Sequence, residues 1–178
     1  MDFVLKKELA NSNRVYVEII TPKKPSDLRK NMDNRGGLVV VAGGNDEINR
    51  AALENKSIDI LLGPEFSREK DFIHFRNSGL NQVLCKLAKK NDVAVGFSFN
   101  YLMNSKNKEL VLGKMMQNIS LCRKYKLKMV LGSFASKEME MKNKSELMSF
   151  GKVIGMNGKE IKDALNFKKK EAKIKILK

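Results

Sequence analysis

Apolar residues along this 178-residue chain follow two alternating rhythms. Short apolar runs without a solvent face are separated by stretches in which apolar positions recur every three or four residues. Val15–Ile20, Gly37–Ala42, Ile58–Leu62, Val93–Phe97 and Lys128–Leu131 read as five strands. Runs such as Val93-Ala94-Val95-Gly96-Phe97 belong to strands covered on both faces, the habit of a parallel sheet under helices.

The helical stretches carry their own start and stop signals. Ser26 or Asp27 opens a short helix through Met32. Asn45 caps a helix with Asp46 and Glu47 in its first turn, where acidic groups suit the helix dipole, and with Ile48, Ala51 and Ala52 inside. From Ser78, Leu80, Val83, Leu84, Leu87 and Ala88 form one apolar face that ends at Asn91-Asp92. A long helix is expected from about Lys108 to Tyr125, with Val111, Met115, Ile119 and Cys122 inward. Ser145 starts another, with Leu147, Phe150, Val153 and Ile154 inside and Gly155 as its C′ residue. Asn157 and Glu160 have capping-box spacing and open a last helix over Ile161, Ala164 and Leu165.

Strand–helix alternation of this kind implies parallel strands joined by right-handed crossovers. The expectation is an α/β domain over 1–166 and a basic tail over 167–178. Ile174–Ile176 in that tail could add a short edge strand. Doubly wound sheets and barrels share the rhythm, and the chain is short against the ~250 residues of a full eight-fold barrel.

Charge changes the picture more than composition does. Lys and Arg number 35 against 20 acidic residues, a net +15. Such an excess points to a polyanionic partner, nucleic acid first and an acidic membrane surface second. Only seven of the 35 are arginine, so a lysine-rich coding bias is the bland explanation. The basic residues cluster at Lys86-Lys89-Lys90, at Arg123-Lys124-Lys126-Lys128 and at Lys168-Lys169-Lys170. Without an RNP motif, zinc-finger spacing or an aromatic stacking run, contact with backbone and shape is expected rather than sequence readout. Lys86, Lys89, Lys90, Arg123 and Lys128 are the leading candidates for such contacts, with Arg50, Arg68 and Arg76 behind them.

Catalytic chemistry has few candidates. Of the residues that follow the strands, Glu65 alone has obvious acid–base use. His74 is the single histidine, and Glu18, Glu65 and Asp71 are the carboxylates that a magnesium ion could use. Gly43-Gly44-Asn45 lacks both GxGxxG and GxxxxGK[ST] and reads as a tight turn. Cys85 and Cys122 are far apart, without a CxxC, and read as reduced packing residues. No apolar run reaches the ~20 residues of a membrane span, and the expected location is cytoplasmic.

Four stretches carry a family resemblance: GGNDEINRAALENKSIDIL from Gly43, SGLNQVLCKLAKKNDVAVGFSF from Ser78, NISLCRKYKLKMVL from Asn118, and Gly132 to Met156. On these the chain resembles archaeal ribonuclease P protein component three, the counterpart of the thirty-kilodalton subunit of the eukaryotic nuclear enzyme. The resemblance implies a TIM-barrel-like (β/α) fold related to PHP phosphoesterases but without their metal centre, here with a shortened or irregular N-terminal part. It implies a non-catalytic subunit of ribonuclease P, which removes 5′ leaders from precursor tRNA. The RNA subunit cleaves with Mg²⁺, this chain carries no cofactor, and its partners are the RNase P RNA, precursor tRNA and protein component two. Gln82 stands where the family often has histidine, and Lys142 where arginine is common. The alternative is a metal-dependent PHP-type phosphoesterase acting on a small molecule through Glu65, Asp71 and His74.

Overall fold

A computed structural model describes residues 2–30, 37–66, 70–71, 73–74 and 76–168. Among the described residues seven strand segments form, all paired in parallel: β1 (Asp2–Val4), β2 (Arg14–Tyr16), β3 (Ile19–Ile20), β4 (Val40–Ala42), β5 (Ile60–Leu62), β6 (Ala94–Ser98) and β7 (Met129–Gly132). β3 to β7 lie side by side in chain order, which is the order of a barrel and not of a doubly wound sheet.

The sheet closes on itself. β2 and β3 are two halves of one extended stretch, the first pairing with β1 and the second with β4. On the other side, Val4 bridges Ala135 just beyond β7, and Leu5 N–H donates to the Ala135 carbonyl at 2.8 Å. The result is a barrel-like ring that needs the first residues to complete it. A three-residue strand is too short to give a periodic signal, so β1 is absent from the sequence reading. The single strand expected over Val15–Ile20 is instead split at Val17-Glu18, where the chain changes partner.

Alternation along the strands sorts the core into two bodies. Phe3, Val17, Val40, Ile60, Leu62, Ala94, Val130 and Phe134 fill the inside of the ring. Val39, Val41, Leu61, Val95, Phe97 and Leu131 face outward and are sealed by helices. Each such fully buried side chain stabilises the fold by about 1.5–3 kcal/mol relative to exposure.

The helices are α1 (Asp27–Lys30), α2 (Asp46–Glu54), α3 (Gln82–Asn91), α4 (Phe99–Asn104), α5 (Lys108–Tyr125), α6 (Lys144–Val153) and α7 (Gly158–Leu165). The expected end of α1 at Met32 and the strand at Ile174–Ile176 lie outside the described residues. Asn45 and Asn81 accept from Ile48 N–H and Leu84 N–H, capping α2 and α3. The Asn157–Glu160 box opens α7, and Asn143 with Glu146 forms another that starts α6 one residue ahead of Ser145. Gly155 ends α6 at φ +92°, the left-handed geometry its C′ role demands. Two positions expected inside are exposed, Val83 at 57% and Val153 at 60%. Because α3 begins only at Gln82, its buried stripe is Leu84, Cys85 and Ala88. α4 is a further departure, a short helix started by the Ser98 hydroxyl at the end of β6.

Gly43 shows why the first βα turn is glycine. A β-carbon there would stand 2.2 Å from the Gly63 carbonyl oxygen. The tight-turn reading of Gly43-Gly44 therefore holds. Cys85 and Cys122 are both free and buried, as packing residues should be.

Candidate nucleic-acid interface

In parallel α/β architecture, helices run back along the strands and end beside strand N-termini. The last turns of α3 and α5 therefore meet at one end of the barrel. Two lysine clusters that are far apart in sequence become neighbours there. Lys89 Nζ donates to the Lys126 carbonyl at 2.8 Å, and Lys128 Nζ meets Asp92 Oδ2 at 2.9 Å. Lys126 and Asp92 are left-handed C-caps of α5 and α3, with φ of +54° and +56°. Cations at helix C-termini also offset the negative end of the helix dipole, so part of this basic end serves the helices themselves.

The cations at this end differ in availability. Arg123 is committed: Nε meets Glu160 Oε1 at 2.7 Å, while Nη2 meets Glu160 Oε2 and the Gly155 carbonyl, both at 2.8 Å. This fork ties α5 to α7 and to the turn before it. The Arg123 guanidinium holds the Glu160 carboxyl below its ordinary pKa. Lys128 is similarly engaged by Asp92 across the starts of β6 and β7. Lys86, Lys90, Lys126, Lys159 and Lys168 are exposed and make no ion pair among the described residues.

The structure thus brings Lys89 against Lys126 and Lys128 against Asp92, with Arg123 in the same last turn of α5, while Lys86 and Lys90 are exposed on α3. Arg50 lies on α2 in an i,i+4 pair with Glu54 at 2.8 Å. Arg76 belongs to the other end. Its guanidinium lies over Gly113 of α5, where a β-carbon would approach Nη1 to 2.4 Å, and its Nε stands 3.8 Å from Asp71. Arg68 lies outside the described residues, as do Lys169 and Lys170. Lys126, Lys159 and Lys168 are missing from the leading sequence candidates. Lys159 had no local signal at all, since it sits alone between Gly158 and Glu160.

The opposite end, beyond the strand C-termini, is where barrel enzymes carry catalysis. Here it holds aromatic rings and a buried polar knot. Phe66 and Tyr101 meet with tilted rings, centroids 3.7 Å apart, and Phe3 and Phe134 stack with centroids 5.5 Å apart. Glu65 is buried, and burial pushes its pKa up to about 7. Asn118 Nδ2 donates to Glu65 Oε2 at 3.0 Å and to the Ser78 carbonyl at 2.9 Å. Lys114, fully buried on α5, stands 3.5 Å from Asp71, which also accepts from Asn77 N–H. Asn49 ties three loops together, accepting from Gly44 N–H and donating to the carbonyls of Pro64 and Gly79.

The alternative catalytic set does not assemble as a centre. Glu65 is buried against Asn118, Asp71 is engaged by cations, and His74 is exposed. Among the described residues no three of His, Cys, Asp and Glu stand close enough to hold a metal ion. No described helix is long and apolar enough to cross a membrane. Sequence reasoning missed Asn49, Lys114 and Asn118. The available signal was a polar residue set between inward positions of α5, as Asn118 is between Met115 and Ile119.

Comparison with known proteins places these features. The family model for RNase P subunit p30 matches residues 3–172. The chain is 36% identical over 140 residues to ribonuclease P protein component 3 of Methanosarcina mazei, covering 78% of this chain and 54% of that protein. It is 32% identical over 169 residues to the Thermococcus kodakarensis protein of the same description, covering 92% and 73%. The chain therefore spans about half the length of the Methanosarcina relatives it matches. Among solved structures, a chain from the cryo-EM structure of archaeal Ribonuclease P with mature tRNA superposes with a TM-score of 0.74 at 26% identity. That match covers 89% of this chain and 67% of the other.

Proposed function

The chain belongs to the RNase P subunit p30 family, and from that membership we propose that it is a protein subunit of ribonuclease P. In this reading it assists a catalytic RNA that removes 5′ leaders from precursor tRNA, and it breaks no bond itself. The RNA uses Mg²⁺ for cleavage; this chain contributes grip and position. Its partners are the RNase P RNA, precursor tRNA and protein component two, in the cytoplasm. Residues 1–166 act as one domain and 167–178 as a basic tail whose first residue, Phe167, packs back against the core inside the ring.

The observation that carries the reading is the joining of two lysine clusters on one end of the barrel. Each phosphate neutralised by a lysine releases condensed counterions. With ~6 such contacts, affinity falls about a thousandfold or more between ~50 and ~200 mM salt. The similarity to a chain of a ribonuclease P particle solved with mature tRNA supports the same partner class.

Reconstitution tests it. Adding the protein with component two to the cognate RNA should raise precursor-tRNA cleavage at limiting Mg²⁺. Unchanged cleavage under those conditions rejects the reading.

A further inference from the structure

The basic end contains a groove of about 600 Å³ between the last turn of α5, the start of β7 and α7. We propose that this groove docks an unpaired nucleotide of an RNA strand, with the base against Phe167 and the neighbouring phosphates on Lys126, Lys159 and Lys168. The inference rests on the RNA-binding reading above and adds to it a site and a class of RNA feature.

Three observations converge. The first is size: clefts that hold small ligands span ~300–1,000 Å³. A groove of this volume takes one or two nucleotides and cannot admit a duplex. The second is the floor, which is apolar. Leu127 is buried, and Met129 and Phe167 are half-buried, with Phe167 packed on the inside of the barrel. The half-exposed Phe167 ring is aromatic surface in the groove lining, on which an unpaired base can stack and which a paired base cannot reach.

The third is the distribution of charge around the rim. Arg123 and Lys128 line the groove but are already neutralised by Glu160 and Asp92. Lys126, Lys159 and Lys168 line it without ion pairs among the described residues, against the single further carboxylate of Asp163. The walls are therefore braced by ion pairs while the rim stays net positive. A flat apolar floor under spaced cations complements a nucleotide. An acidic peptide would satisfy the rim and leave the floor unused.

The test uses the full chain, a short fluorescein-labelled oligouridylate and an RNA duplex of equal length. Phe167→Leu keeps an apolar plug of similar volume but removes the ring face. It should weaken oligouridylate binding about tenfold and leave duplex binding and the melting temperature unchanged. Lys126→Gln with Lys159→Gln alters only exposed side chains. That pair should lower the salt slope of oligouridylate binding by about two. Equal oligouridylate affinity for Phe167→Leu and wild type overturns the proposal, as does an unchanged salt slope in the double variant. Displacement of oligouridylate by polyglutamate as readily as by unlabelled RNA also overturns it, in favour of an acidic protein partner. The broader reading fails separately, if wild type binds neither RNA in a salt-dependent way.

Discussion

Replacing Glu65 by glutamine should change how stability depends on pH. Burial raises the Glu65 pKa from 4.5 to about 7, against the opposing influence of Asn118 and of Lys114. Below pH 4.5 the carboxyl is protonated in both folded and unfolded chains, and its neutral form sits in the core at full advantage. As pH rises above 4.5 the unfolded chain ionises while the folded one keeps its proton. Unfolding free energy therefore falls with pH until the folded group ionises near 7, and levels off above that. At ~1.4 kcal/mol per pKa unit, the loss between about pH 5 and pH 8 is roughly 2 to 3 kcal/mol. That is a large share of the ~5–15 kcal/mol that holds a domain together. A glutamine side chain would keep an acceptor for Asn118 Nδ2 and cannot ionise. Urea unfolding at both pH values, for wild type and Glu65→Gln, reads the difference directly. The Glu160 carboxyl, held below its ordinary pKa by Arg123, is the same in both proteins and cancels in the comparison. The variant should gain roughly 2 to 3 kcal/mol on wild type from about pH 5 to pH 8. Parallel curves would refute the reasoning, because they would mean that the buried carboxyl titrates as if in water.

Other expectations follow from single contacts. Arg123→Lys loses the fork that holds Glu160 and Gly155; the guanidinium is half-exposed and the pair is screened, so denaturant melts should show a loss of about 1 kcal/mol. Asn49→Ala breaks three loop-tying hydrogen bonds and leaves buried carbonyls unpaired, so chemical denaturation should report a loss of about 2–4 kcal/mol. Burial pushes the Cys85 thiol up to about 11 and raises Cys122 as well, so neither should react with a thiol reagent at neutral pH until denaturant is added, as mass spectrometry would show.

What the sequence made legible was local. The span of α5 matched residue for residue, and the caps at Asn45 and Asn157 held because a cap is decided within three or four positions. The fully apolar strands also announced themselves, since covering both faces leaves no polar alternation to confuse. Contacts that span the chain were not legible. The closure of the ring joins Val4 to Ala135, and no periodic pattern encodes that. The basic clusters were visible, yet which cations are captive was not: Lys128 and Asp92 are 36 positions apart, and Arg123 and Glu160 are 37. The buried polar knot was missed for the opposite reason. Lys114 and Asn118 look like surface residues by type, and only the loop folded over α5 turns their face inward.

The concentration of positive charge at one end raises a question of cost, and salt answers it. A net +15 repels itself, and screening should relieve that repulsion. The same screening weakens Arg123–Glu160, Lys128–Asp92 and the attraction of lysines for the C-termini of α3 and α5. These local terms are each about 1 kcal/mol or less at exposed positions. The repulsion is spread over the whole lysine-rich surface. The expected net effect is a melting temperature that rises with added sodium chloride, while affinity for RNA falls over the same range. Opposite signs would mean that the surplus charge is carried at the expense of stability and is recovered only on binding a polyanion. A melting temperature that falls with salt would instead show the lysines to be locally compensated by helix ends and carboxylates. The basic end would then be explained by helix capping before any partner is invoked.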